Sequence, residues 1–299
     1  MSCVLALSAS AAFAQAQATY LYNLSSFLGR LRDDWARIRV DARRDETFVI
    51  YQNTVRVFNP AGMEFFSFGE DLDLGQLVDL AVDGNGDLIL LSFRDSRTQV
   101  TRCNFRGDPI GPIDIRNLPD GLAFHANRMV LRNGQLYFAS LAASTVIVTD
   151  VAGEFRRRID LLPLMEPEER QKGGTESIGF AVDEEGNVFL SVPSLFRVFK
   201  VSPDGQLAYF GRPGSVPGRF GIAAGIAFDS AGNLLVADKL KCVVMVFDKG
   251  FNFMGEFGYR GSRPENLVVP EDIAVDRQDR LYVSQGRRRG IGVFALAPR

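Results

Sequence analysis

The chain has 299 residues, of which 46% are hydrophobic, with 24 phenylalanines and one tryptophan, enough apolar material for a large core. Its formal net charge is −2 and its isoelectric point about 5.6, which excludes the broadly basic surface of a nucleic-acid-binding domain. No apolar run of membrane-spanning length lies in the body of the chain, and no linker-like composition shift divides it.

The first element is a short apolar run from Cys3 to Phe13. The small-x-small triplets Ala12-Phe13-Ala14, Ala14-Gln15-Ala16 and Ala16-Gln17-Ala18 follow. This is the pattern of a secretory signal peptide, lacking the Lys or Arg that normally precedes the apolar run. Residues 1–18 are therefore assigned to a leader and 19–299 to one domain. Export to a periplasm or the medium is expected, with a cytoplasmic location as the alternative.

Beyond the leader the chain repeats a phrase. Its copies are Asp79-Leu80-Ala81-Val82-Asp83 with Gly86-Asp87-Leu88, Gly179-Phe180-Ala181-Val182-Asp183 with Gly186-Asn187-Val188, Gly225-Ile226-Ala227-Phe228-Asp229 with Gly232-Asn233-Leu234, and Asp272-Ile273-Ala274-Val275-Asp276 with Arg280-Leu281-Tyr282. Asp41 anchors a weaker first copy and Leu131–Tyr137 a degenerate third one. Each phrase reads as two short strands around a turn, the Asp bonding the turn and the Gly supplying a positive φ. Asp279 replaces that Gly in the last copy, so a slightly different turn is expected there. A second strand pair follows each phrase, as in Thr54–Phe58 with Glu64–Gly69. Six units of four strands, at a spacing of 40–50 residues, predict an all-β fold: a six-bladed β-propeller of four-stranded antiparallel blades. The sixth unit lacks a fourth strand near Val293. The segment Tyr20–Gly29, with Phe27 and Gly29 near a Phe-Gly ending, is expected to complete that blade.

The quoted Ile-Ala-Val-Asp, Gly-Asn-Leu, Val-Ala-Asp, Val-Phe and Phe-Gly elements resemble the NHL-repeat family over about Thr19–Arg299. That resemblance implies a six-bladed scaffold, with enzymes and binding proteins both known on it. Its metal-dependent lyase branch uses histidine ligands, whereas this chain has one histidine, His125, expected to be structural or superficial. Cys103 and Cys242, on third strands of opposite blades, are expected to be core residues without a disulfide.

Function is expected on the face carrying the long connections Asp114–Phe124, Asp160–Ser177, Arg212–Ala223 and Tyr259–Pro270. The second-to-third-strand loops on that face hold Arg94, Arg97, Lys239, Lys241, Arg287, Arg288 and Arg289, a basic set suited to a protein partner or an anionic ligand. The expected role is that of a non-catalytic binding scaffold without a cofactor. Two alternatives remain. Asp79, Glu176 and Asp272 at the channel mouth would hold a metal in a lactonase- or lyase-like enzyme. RNA binding is the other, disfavoured by the acidic balance. Asp83-Gly84-Asn85-Gly86-Asp87 has the alternating oxygens of a calcium loop but no bidentate Glu beyond it, so it is read as a repeat turn first and a calcium site second. A short helical turn is expected within Leu161–Arg170, with Pro167 at its start.

Overall fold

The computed structural model describes residues 18–41, 43–70, 73–171 and 173–297. Of residues 1–18, expected to be a leader, only Ala18 falls among them. The fold is a six-bladed β-propeller of four-stranded antiparallel sheets. The innermost strands are Arg37–Asp41, Gln76–Val82, Arg128–Arg132, Gly179–Val182, Ala223–Phe228 and Ile273–Val275. Each contacts the next, and the sixth contacts the first, so the ring closes.

Closure uses the expected partner. Ala18–Asn23 is the fourth strand of blade six and pairs antiparallel with Gly290–Leu296, setting Tyr20 opposite Phe294 and Tyr22 opposite Val293. Joining the two ends removes an open sheet edge. The strand is shorter than Tyr20–Gly29, however. It stops at Asn23, and Ser25–Ser26 and Gly29–Arg30 form a separate small hairpin with Phe27-Leu28 at its tip. Phe27 therefore does not occupy the position of the Phe-Gly endings.

Hydrophobic side chains gather in six clusters, one in each interface between neighbouring blades. Phe48, Val55 and Leu80 join blades one and two. Tyr137, Val148 and Phe199 join three and four. Ile38, Val49, Tyr282 and Val293 join six and one. Alternating residues of each sheet face opposite neighbours, so every blade contributes to two clusters. Nothing apolar fills the axis, and a channel is left there.

The turn aspartates act as expected. Asp83, Asp229 and Asp276 each accept backbone N–H bonds from residues two and four positions on, and Asp183 accepts from Asn187. The last turn is a correction. Asp279 takes φ +54° and donates its N–H to Asp276 O, the bond made by Gly86, Gly186 and Gly232 in theirs. The turn is preserved, and the Asp279 carboxylate offsets its strain by accepting from Ser230 N and Oγ at 2.8 and 2.6 Å in the neighbouring blade. The degenerate third copy is a two-residue hairpin, Asn133-Gly134, both at positive φ. The helical turn also forms, as a 3-10 turn Leu162–Leu164 and a helix Pro167–Gln171, whose Glu169 pairs with Arg197 of blade four.

Cys103 and Cys242 are free and buried. Cys103 ends a third strand as expected, while Cys242 sits one residue before one. Burial pushes the Cys103 thiol up to about 12, which makes it a core group and not a nucleophile.

Blades four, five and six approach most closely through glycine. A Cβ on Gly179 would overlap Ala224 O of the next innermost strand and crowd Ser191 Oγ. Gly179→Ala is expected to cost about 3 kcal/mol by overpacking. The readout is the urea midpoint by circular dichroism, and an unchanged midpoint would contradict this packing.

Candidate functional site

The two faces of the ring differ. Second-to-third loops and blade-to-blade connections open on one, the loop face. First-to-second and third-to-fourth turns lie on the other, the turn face. Five innermost strands place Arg37, Asp79, Gly179, Gly225 and Asp272 four residues before their turn aspartate, near the loop face. Blade three, with its shorter turn, places Arg128 at the same level. Four of these six positions are charged and the remaining two, in blades four and five, are glycine.

The carboxylates stitch blades together. Asp272 Oδ2 of blade six accepts Ile38 N–H of blade one at 2.9 Å. Asp79 Oδ2 of blade two accepts Met129 N–H of blade three at 2.8 Å. Arginines then satisfy their charge: Arg39 Nη2 lies 2.5 Å from Asp79 Oδ2, Arg37 Nη1 lies 3.2 Å from Asp272 Oδ1, and Arg39 Nη1 lies 3.5 Å from Asp272 Oδ2. Burial works to raise the Asp272 carboxyl, but Arg37, Arg39, the Ile38 N–H and Arg128 outweigh it and hold the group below the usual aspartate range.

Three guanidinium groups thus meet two carboxylates. Arg128 is the one left over. Its Nη1 donates to Asn127 O at 2.6 Å, and no carboxylate lies within ion-pair distance among the described residues. Burial and the like charges of Arg37 and Arg39 outweigh the pull of Asp79 and Asp272 and hold Arg128 down to about 10, so it stays protonated at neutral pH. The buried Nε–H groups of Arg37 and Arg39 have no acceptor. Unpaired buried donors are costly, and the two converging here are a strong local asymmetry.

Below this ring lies a cavity of about 1060 Å³ formed by all six innermost strands. Turn residues of every blade line it, so it opens on the turn face. Its walls are mixed: Val82, Val130, Leu131, Phe180, Phe228 and Val275 supply apolar surface, while Arg43, Asp83, Asp183, Lys200, Asp229 and Asp276 are among the charged residues lining it. At its inner end the lining reaches Arg39 and Asp272. The volume is that of a small-molecule site.

The seven basic residues expected from sequence do not form one free patch. Lys241 lies 2.9 Å from Glu256 and also donates to Val216 O and Arg219 O, so it is an internal brace. Lys239 pairs with Glu271 at 2.8 Å beside the Trp35 ring, and Arg94 pairs with Asp73. Arg289 donates to the carbonyls of Ser262, Arg263 and Asn266. The side chains of Arg97, Arg287 and Arg288 are exposed and make no ion pair among the described residues.

Asp79, Glu176 and Asp272 do not assemble as metal ligands. The two aspartates are committed to arginines and backbone amides, and no three His, Cys, Asp or Glu side chains among the described residues are grouped to hold an ion. In the calcium-like loop, Arg102 pairs with Asp83 and lies 3.6 Å from Asp87. His125 is exposed on the loop leading into Arg128–Arg132. Sequence reading missed Arg37, Arg39 and Arg128. The signal for Arg39 was an arginine at a strand position that four other units fill with alanine, Ala81, Ala181, Ala227 and Ala274, and for Arg37 and Arg128 an arginine at the position of Asp79 and Asp272.

Ring and channel together define a six-bladed β-propeller with an axial pocket. No family model matches the chain, and no curated protein matches it in sequence. Solved structures do match. A catalytically inactive His-to-Ala form of virginiamycin B lyase from Staphylococcus aureus, with quinupristin, has a TM-score of 0.60 at 11% identity, over 90% of this chain and 84% of that one. An auxiliary nutrient binding protein from Bacteroides ovatus has a TM-score of 0.60 at 15% identity, over 90% of this chain and 70% of that one. Such likeness shows a shared fold, on which both an enzyme and a binding protein are built.

The depressed Asp272 carboxyl carries a pH signature. Its stabilisation is present above the unfolded value, near ~4, and is lost as pH falls through the lower folded value. Asp272→Asn should cost about 3 kcal/mol at pH 7, because it strips charge from a buried pair, and the cost should shrink below pH ~4. Urea midpoints of both proteins across pH 2.5–7 measure this, and a cost independent of pH would contradict it.

Proposed function

We propose that this chain is a non-enzymatic, exported propeller of the NHL type that binds a small amphipathic anion. The ligand enters from the turn face and passes its charged head toward Arg128, Arg37 and Arg39. The observation that carries this reading is the surplus of Arg37, Arg39 and Arg128 over Asp79 and Asp272 in the ring above the cavity, whose lining reaches Arg39. A carboxylate there would accept from Arg128 and neutralise the cluster, and bidentate guanidinium–carboxylate pairing is strong where water is sparse. The apolar part of the lining, with Phe180, Phe228 and Val275, offers contacts to an alkyl or aryl body. The nutrient-binding neighbour supports a binding role on this fold, and the leader of residues 1–18 supports export.

This moves the site from the loop-face basic residues to the channel. Several of those residues are already spent on bracing, while Arg128 is not.

Calorimetry with octanoate and its neutral amide tests the proposal. Octanoate should bind about tenfold more tightly than octanamide, and Arg128→Gln should erase most of that preference while leaving the melting temperature within a few degrees. Equal binding of acid and amide, or no binding of either, would overturn it.

A further inference from the structure

The hairpin between the closing strand and blade one is unlike the other turns. Two-residue hairpin tips favour Gly, Asn or Asp, yet here Phe27 and Leu28 stand at the tip, 97% and 96% exposed. The feet of the hairpin are rigid. Leu24 and Leu31 are buried in the interface between blades six and one, Leu31 N–H bonds Leu24 O at 3.1 Å, and Ser25 bridges to Met63 of blade one. Two large apolar side chains are therefore held out into solvent on a fixed stem, without any internal partner that would explain them.

The surroundings of the stem are basic. Arg30 ends the hairpin and Arg32 follows it, both exposed. Arg289 is an electrostatic neighbour of Arg30, and the backbone N–H of Arg288 is held by Asp34, just beyond the hairpin. Nearby acids are largely used: Asp33 pairs with Arg56 at 2.9 Å, and Asp34 caps Arg288.

We propose that the Phe27-Leu28 tip docks into an anionic lipid surface, with Arg30, Arg32, Arg287 and Arg288 resting on the headgroups. A bilayer boundary accepts a pair of apolar side chains and rewards adjacent basic ones. A protein partner fits less well, because a two-residue tip is far smaller than the surface a stable protein interface needs. The contact is peripheral: no helix among the described residues is long and apolar enough to cross a membrane. It stands apart from the channel, which opens on the turn face.

Co-sedimentation of the whole chain with phosphatidylcholine vesicles, with and without a third of phosphatidylglycerol, tests this. Binding is expected to the anionic vesicles, weakening as salt is raised. Phe27→Ser with Leu28→Ser should lower the bound fraction about fivefold or more, and Arg30→Glu with Arg32→Glu should do likewise, both without a change in circular dichroism. Absence of binding to anionic vesicles, or binding unaffected by the tip changes, would overturn the proposal. So would a tip variant that converts a dimer to a monomer in sedimentation while the parent ignores vesicles, since the tip would then be a protein contact.

Discussion

Two buried carboxylates, Asp79 and Asp272, set the conditions for everything at the axis. Each accepts a backbone N–H from the next blade and so fixes the relative height of two innermost strands. A carboxylate this deep needs a counter-charge, and Arg37 and Arg39 supply it. Arg128 then stands beside a pair of already satisfied acids. The blade joint and the cationic surplus are thus one arrangement: the groups that hold the ring also define what the channel attracts.

The opposite side of the ring solves the same joint without charge. Gly179 and Gly225 let backbones meet directly, Gly225 N–H bonding Glu271 O at 2.7 Å. Charge is thereby concentrated on one side, over blades six to three. A symmetric ring of acids or of glycines would present no such directional site. The asymmetry gives the ring one cationic side next to the cavity, which is the pattern of a site that orients its ligand.

Much of the fold was legible because it repeats. The Asp–Gly turn phrase marks strands whose pattern must recur six times, and strand-end closure follows from a missing fourth strand. Boundaries were less legible. Phe27 and Gly29 resemble a strand ending, but the chain turns at Ser26, and only the pairing of Ala18–Asn23 with Gly290–Leu296 shows where the strand stops. Asp279 was hard to read for another reason: its strain is offset by Ser230 of a different blade.

The site was less legible still. Loop-face basic residues attract notice because they cluster in sequence, yet Lys241 and Arg289 turn inward to brace loops. Arg37, Arg39 and Arg128 are far apart in the chain and meet only when the ring closes. A single-sequence reading sees each as one charged residue in a strand. Their joint excess over Asp79 and Asp272 exists only in three dimensions.

Crystals grown with an ω-bromoalkanoate give the most direct test of the channel, since the anomalous signal fixes the ligand's direction. The account predicts bromine among Phe180, Phe228 and Val275, with the carboxylate within hydrogen-bond distance of Arg128. Bromine outside the channel, or a carboxylate facing the turn-face mouth, would contradict it.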